Sequence, residues 1–232
     1  EERGLYKKMK VGEQALYLAQ LKNINKREAQ NKLRYWFEKF SIIDWWDRKV
    51  EELSKGMQQK IQFIVTILHE PKLLIFDEPF SGFDPINTQL LKEEILKLRE
   101  NGATVIFSTH NMGSVEEICD HIALINRSEK ILEGEVGKIR EQFSLKQYEI
   151  ALLAEKELPA TIDGVDILNR WNDEKYHYLK VQLHENANTN GVLNRVMPYG
   201  RLRGFTEIIP GMNDIFIRLV NATSNEPENN AL

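Results

Sequence analysis

Leu73-Leu74-Ile75-Phe76 is an unbroken apolar run, and Asp77-Glu78-Pro79 closes it. Apolar residues without alternation suit a strand buried on both faces of a parallel sheet. Two carboxylates then stand where that strand ends. In open α/β sheets, ligands lie beyond the carboxyl ends of the strands. An Asp followed by a Glu there meets the needs of a metal–nucleotide site. One carboxylate can hold Mg²⁺, directly or through its waters, and the other can polarise a water.

The chain after this strand repeats the arrangement. In Ser81-Gly82-Phe83-Asp84-Pro85, Asp84 is placed to cap a helix and Pro85 to begin it. Leu91, Ile95 and Leu98 mark its buried stripe, and Asn101-Gly102 its end. Thr104 to Ser108 reads as a second short strand, with Thr109-His110 at its carboxyl end. A lone histidine is most often structural or on the surface. Its place beside an acidic pair favours chemistry here. Strand–helix–strand units of this kind imply a layered α/β domain.

No strand pattern appears before residue 72, so the first third reads as helical. Val11 to Lys22 forms one amphipathic stretch. Asn25 with Glu28 opens a second, whose face carries Leu33, Trp36, Phe37 and Phe40. Trp45 and Trp46 read as core packing beneath these helices. In Leu53-Ser54-Lys55-Gly56-Met57, Ser54 is the candidate N-cap of a third helix, with Met57, Ile61, Ile64 and Leu68 on its face. A helix N-terminus with free N–H groups suits a phosphate. Ser54 serves equally as a cap and nothing more.

Ser114 and Glu117 read as a capping box, His121 to Asn126 and Lys130 to Glu133 as a strand pair, and Glu135 to Phe143 as a linking helix. Beyond it, strands are expected over 148–153, 165–171, 176–183 and 202–209, and helices over 188–197 and 212–220. This stretch, 144–221, reads as a separate small α+β domain without a cluster of titratable groups. Residues 222–232 read as a disordered tail.

The formal net charge of -4 gives no electrostatic reason to expect nucleic acid. The single cysteine, Cys119, excludes an internal disulfide and fits a reducing compartment. No apolar run approaches the ~20 residues that span a bilayer.

Leu53 to Gln59 resembles the signature motif of ATP-binding-cassette (ABC) ATPases. Leu73 to Glu78 is similar to their Walker B strand with its catalytic Glu, Ser81 to Asp84 to their D-loop, and Ser108-Thr109-His110 to their switch-histidine loop. All four stand in the family's order. The resemblance covers residues 1 to about 143. The remainder, ending in Gly211-Met212-Asn213-Asp214-Ile215-Phe216, resembles the C-terminal accessory domain of sodium-extrusion and drug-export ABC subunits.

The resemblance implies a partial P-loop NTPase domain of α/β class, with a helical subdomain over about 1–70 and core elements over about 71–143. It implies that Asp77 holds Mg²⁺ and that Glu78 is the general base or positions the attacking water. His110 would sense the γ-phosphate, and Asp84 would couple two subunits. Ser54, Lys55 and Gly56 would meet the γ-phosphate of ATP held by the partner. ATP and Mg²⁺ are the implied cofactors. The implied partners are a second ATPase subunit, identical or not, and membrane permease subunits, with the protein on the cytoplasmic face of the membrane.

Three positions depart from the family pattern: Lys55 replaces Gly, Met57 replaces Gln and Phe83 replaces Leu. No G-x-x-x-x-G-K-[ST] occurs, and in Gly134 to Ile139 the glycine spacing is wrong. The resemblance places the phosphate-binding loop N-terminal to the other motifs, so this stretch is expected not to hydrolyse ATP alone. The expected parent function is the ATP-hydrolysing subunit of an ABC exporter. The alternatives are an ABC-type ATPase without a transport role, and a non-catalytic dimerisation or regulatory module.

Overall fold

The computed structural model describes residues 4–224. The chain divides into two compact units, the first ending at His110 and the second beginning at Asn111.

The first unit opens with helices α1 (Val11–Leu21), α2 (Lys26–Lys39) and α3 (Lys55–Ile67). Asn25 caps α2 by accepting from the Glu28 N–H at 3.0 Å. Leu33, Phe37, Ile42, Ile61 and Ile64 are fully buried among these elements. Each such side chain contributes about 1.5–3 kcal/mol over leaving it in water. The Trp46 indole lies on Gly12, where a Cβ would stand 2.2 Å from the ring. Trp46 also meets Phe37 edge-on at 5.5 Å, as core packing requires.

Strand β1 (Leu73–Asp77), helix α4 (Pro85–Glu100) and strand β2 (Thr104–Ser108) follow. Asp84 caps α4 and Pro85 begins it. β1 and β2 pair in parallel, from Leu73 opposite Thr104 to Asp77 opposite Ser108. Parallel neighbours need a crossover, and α4 supplies it. The expectation that β1 is buried on both faces is corrected. Leu74 is 1% exposed, but Ile75 is 69% exposed. Phe76 stacks on Phe63 of α3 at 5.7 Å, so the Leu74–Phe76 face is packed. Pleating sends Leu73, Ile75 and Asp77 to the other face, together with Ile106 and Ser108 of β2. No described element covers that face enough to bury Ile75 or Ile106.

The second unit contains α5 (Met112–Ile118), the hairpin β3 (His121–Asn126) and β4 (Glu129–Glu135), and α6 (Val136–Gln142). Arg127 and Ser128 both adopt positive φ, as a tight hairpin turn requires. The expected Ser114–Glu117 capping box is corrected. Asn111 caps α5 through the Ser114 N–H at 3.1 Å, and Ser114 is buried inside the helix. Strands β5 (Gln147–Ala154), β6 (Val165–Asn172) and β7 (His177–Leu183) come next. Helix α7 (Thr189–Val196), strand β8 (Gly200–Ile208) and helix α8 (Met212–Ser224) complete the unit. The four strands form an antiparallel sheet in the order β6-β7-β5-β8. Ile150, Leu152, Leu179 and Val181 make its core with Val192 and Val196 of α7.

Val115, Ile139, Met212 and Ile215 make a separate core from α5, α6 and α8. The compact division therefore comes at His110, ahead of the change of character read near residue 143. α8 runs through Ser224, past the expected start of a tail at 222, and residues 225–232 lie outside the described residues. No helix among the described residues is long and apolar enough to cross a membrane.

Candidate functional site

The parallel register brings two strand ends together. Asp77 ends β1 opposite Ser108, which ends β2. The Ser108 hydroxyl donates to an Asp77 carboxylate oxygen. The next residue, Glu78, adopts φ +44°, a left-handed conformation uncommon outside glycine. Its own N–H donates to the Ser108 carbonyl at 3.1 Å, which continues the ladder by one bond. Residues held in such conformations cluster at functional sites.

The Glu78 carboxylate is clamped by the loop after β2. Oε1 accepts from the His110 N–H at 2.9 Å and lies 2.7 Å from His110 Nδ1. Oε2 accepts from the Thr109 hydroxyl at 3.2 Å. For Nδ1 to donate to Glu78 it must carry the ring proton, which leaves Nε2 as the atom for another partner. The His110 side chain is exposed and Glu78 partly so. Asp77, Glu78 and His110 are thus brought into one group by residues 31 or 32 apart in sequence.

Ser54, Lys55 and Gly56 lie at the start of α3 and Asp84 at the start of α4. Ser54 accepts from the Met57 N–H at 3.3 Å and so caps α3. The preceding loop is held by Gln58, whose amide donates to the Leu53 carbonyl at 2.9 Å and the Val50 carbonyl at 3.3 Å. A Cβ on Gly56 would stand 2.8 Å from the Gly82 carbonyl oxygen, so the turn at Ser54–Gly56 and the loop before α4 touch through backbone. Gly82 has φ +78°, which a side chain would strain. Asp84 accepts from the Asn87 N–H at 3.0 Å and from the Asn87 amide. These bonds hold its carboxyl below the usual range, the backbone bond most. The Ser81 N–H donates to the Glu78 carbonyl at 3.1 Å and links this loop to the first group.

The hydroxyls of Ser108 and Thr109 belong to the site, though sequence reasoning assigned them no role of their own. Their place immediately before His110 at a strand end was the available signal. Among the described residues, no three acidic, histidine or cysteine side chains gather to hold a metal ion. A lone strand-end carboxylate such as Asp77 fits Mg²⁺ that arrives on a nucleotide. That ion takes one or two carboxylates, with phosphates and waters completing its shell.

Known proteins resemble the chain throughout. Residues 16–116 match the family described as "AAA domain, putative AbiEii toxin, Type IV TA system". Residues 134–220 match the family described as "ATP-binding protein DrrA1-3-like, C-terminal domain". The ABC transporter ATP-binding protein YhaQ of Bacillus subtilis is 41% identical over 222 residues, 96% of this chain and 73% of that protein. The ABC transporter ATP-binding protein BpOF4_11395 of Alkalihalophilus pseudofirmus is 38% identical over 220 residues, 95% of this chain and 81% of that protein. A solved structure titled "Structure of ATP binding subunit of ABC transporter" superposes with a TM-score of 0.56 at 29% identity, covering 60% of this chain and 58% of that one.

Proposed function

The chain belongs to the ABC transporter ATP-binding proteins, and from that premise we propose that it carries the hydrolytic edge of an ATPase subunit driving an exporter. Residues 1–143 are the ATPase portion in this reading, and 144–221 the accessory domain. The observation that supports it best is Glu78, held by His110 and Thr109 at the carboxyl end of paired parallel strands.

Glu78 takes a proton from the attacking water or orients that water for attack. His110 holds the Glu78 carboxylate through Nδ1, and contact with the γ-phosphate requires a proton on Nε2 as well, so that both ring nitrogens donate. Asp77, braced by Ser108, would hold Mg²⁺, and the ion would supply charge neutralisation for the transferred phosphoryl group. Ser54, Lys55 and Gly56 present N–H groups and a positive side chain to the γ-phosphate of ATP in a partner subunit. Asp84 lies at the contact between the two subunits. Closure of the pair around ATP moves permease subunits, which hold the protein at the inner face of the membrane. The export direction rests on the resemblance of the stretch ending in Gly211 to Phe216 to the accessory domain of sodium-extrusion and drug-export ABC subunits.

P-loop enzymes cradle the phosphates with a Gly-rich loop and its lysine, and these 232 residues contain no such pattern. Alone they should bind Mg-ATP weakly; micromolar affinity by titration calorimetry would overturn that. The deciding experiment measures ATPase activity of the subunit assembled with its permease, wild type against Glu78→Gln. The expected loss is at least about 100-fold. Equal rates sink the assignment of Glu78. Failure to copurify with any permease favours an ABC-type ATPase outside transport.

A further inference from the structure

Thr109 and His110 are consecutive, and between them they take both oxygens of one carboxylate. Glu78 Oε1 accepts from the His110 N–H at 2.9 Å and lies 2.7 Å from His110 Nδ1. Among the described residues, Oε2 accepts from the Thr109 hydroxyl alone, at 3.2 Å. Each oxygen of a carboxylate offers about two lone-pair sites. Both Oε1 sites are therefore filled from His110, while Oε2 keeps one to offer. The two oxygens of Glu78 are unequal.

The last torsion of a glutamate side chain is broad, so one anchored oxygen does not fix the plane of the carboxylate. Held at Oε1 alone, the group can swing about that anchor. The Thr109 hydroxyl supplies a second point and stops the swing. A β-branched side chain is stiff at χ1, which places that hydroxyl more narrowly than a serine would. Thr109 is also half-buried, whereas the His110 side chain is 87% exposed, so the hydroxyl is the more sheltered grip.

We propose that Glu78 meets the attacking water through Oε2, and that Thr109 is the positioning residue that keeps this oxygen aimed. The role rests on the ATPase reading above and adds which oxygen acts and what holds it. As the water oxygen bonds to the γ-phosphorus, the bond from phosphorus to the β–γ bridging oxygen breaks and its electron pair stays with ADP. The proton leaving the water goes to Oε2. His110 does not hold that oxygen as well, because its N–H and Nδ1 are spent on Oε1.

The first test uses the full chain and needs no nucleotide. A crystal structure of Thr109→Val should show the Glu78 carboxylate turned about Oε1 or split between orientations, with both His110 contacts kept. Thr109→Ser should restore the wild-type plane. Thr109→Ala removes the hydroxyl without adding an apolar group, and should repeat the Thr109→Val result. A carboxylate unmoved in both variants overturns the positioning role.

The second test uses the ATP-hydrolysing assembly. Thr109→Val should lower kcat about tenfold with little change in KM for ATP, and Thr109→Ser should recover most of it. In a Glu78→Gln background, Thr109→Val should cost nothing further, and additive losses overturn the proposal. An inactive wild type defeats the ATPase reading and leaves the crystallographic result to decide the positioning. An active wild type with an equally active Thr109→Val defeats the proposal alone.

Discussion

The β1–β2 pair and the β6-β7-β5-β8 sheet bury their apolar side chains in opposite ways. In the second unit, Ile150, Leu152, Leu179 and Val181 lie under α7 on one face of an antiparallel sheet. Such a sheet is stable with its other face in water. In the first unit, β1 and β2 are parallel and carry apolar residues on both faces, yet Leu73, Ile75 and Ile106 remain exposed. Parallel strands ordinarily have both faces covered. Asp77 and Ser108 lie on that same open face, by the alternation of the strands. The proposed chemistry is therefore assigned to the sheet whose own burial is incomplete. In the sheet with the finished core, as elsewhere among the described residues, no three acidic, histidine or cysteine side chains gather to hold a metal ion. Apolar residues on the uncovered side are what a further layer would bury, and a nucleotide site needs a wall as well as an edge.

Several measurements can break or sharpen this contrast. The largest effect should come from the finished core. Leu179→Ala leaves a cavity under α7 and should cost about 2–5 kcal/mol by urea unfolding. A loss below ~1 kcal/mol would mean that the second unit is not tightly packed there.

Cys119 is next. Burial pushes its thiol up to about 11, with Asp120 adding to the shift. Iodoacetamide at pH 8 should therefore alkylate it about 100-fold more slowly than a thiol with the ordinary value of 9.0. The folded state favours the neutral thiol. Its contribution is present below pH 9 and fades as pH rises towards 11, so unfolding should become easier across that window. Rapid alkylation at pH 8 would show that the second core opens.

Glu116 should give a smaller loss. It accepts from the Met212 N–H at 2.6 Å and pairs with Arg140 at 3.4 Å, binding α5, α6 and α8 together. Arg140 also donates to the Pro210 carbonyl at 3.0 Å. Glu116→Ala should cost about 1–2 kcal/mol by thermal unfolding. Glu116→Gln, which keeps an acceptor for Met212, should cost less. Equal losses would place the effect in the charge rather than the cap.

The smallest effect belongs to the open face. Ile75→Thr should change stability by no more than ~0.5 kcal/mol in this chain, because Ile75 is already in water. A loss comparable to that of Leu179→Ala would show that the face is covered in solution, and the contrast would fail.

Local features were legible from sequence. Asn25, Ser54 and Asp84 each cap a helix through an N–H three residues on, a contact that depends on adjacent chain alone. Ser114 misled because the same short-range rule offered two starts. Asn111 and Ser114 both fit, and packing decided. A helix begun at Met112 presents Met112 and Val115 to the core shared with Ile139 and Met212. A helix begun after Ser114 would lose Met112. The run Leu73 to Phe76 named a strand correctly and its burial wrongly, since composition says what a face could bury and not what stands beside it. At the proposed site, Asp77, Glu78 and His110 were singled out by their place at strand ends. The clamp on Glu78 was not, because it joins residues 31 or 32 apart.

By itself the sequence determined the order of helices and strands, the caps, and the placing of acids and histidine just beyond strand ends. Those follow from periodicity and from contacts within a few residues. Only the tertiary structure decided that β1 and β2 align Asp77 with Ser108, and that Thr109 and His110 hold Glu78. It also decided that Gly56 rests on Gly82, and that α5 shares its core with α8. Each of these joins segments distant in the chain. Register, close approach and shared burial are properties of two partners at once, and no single stretch encodes them.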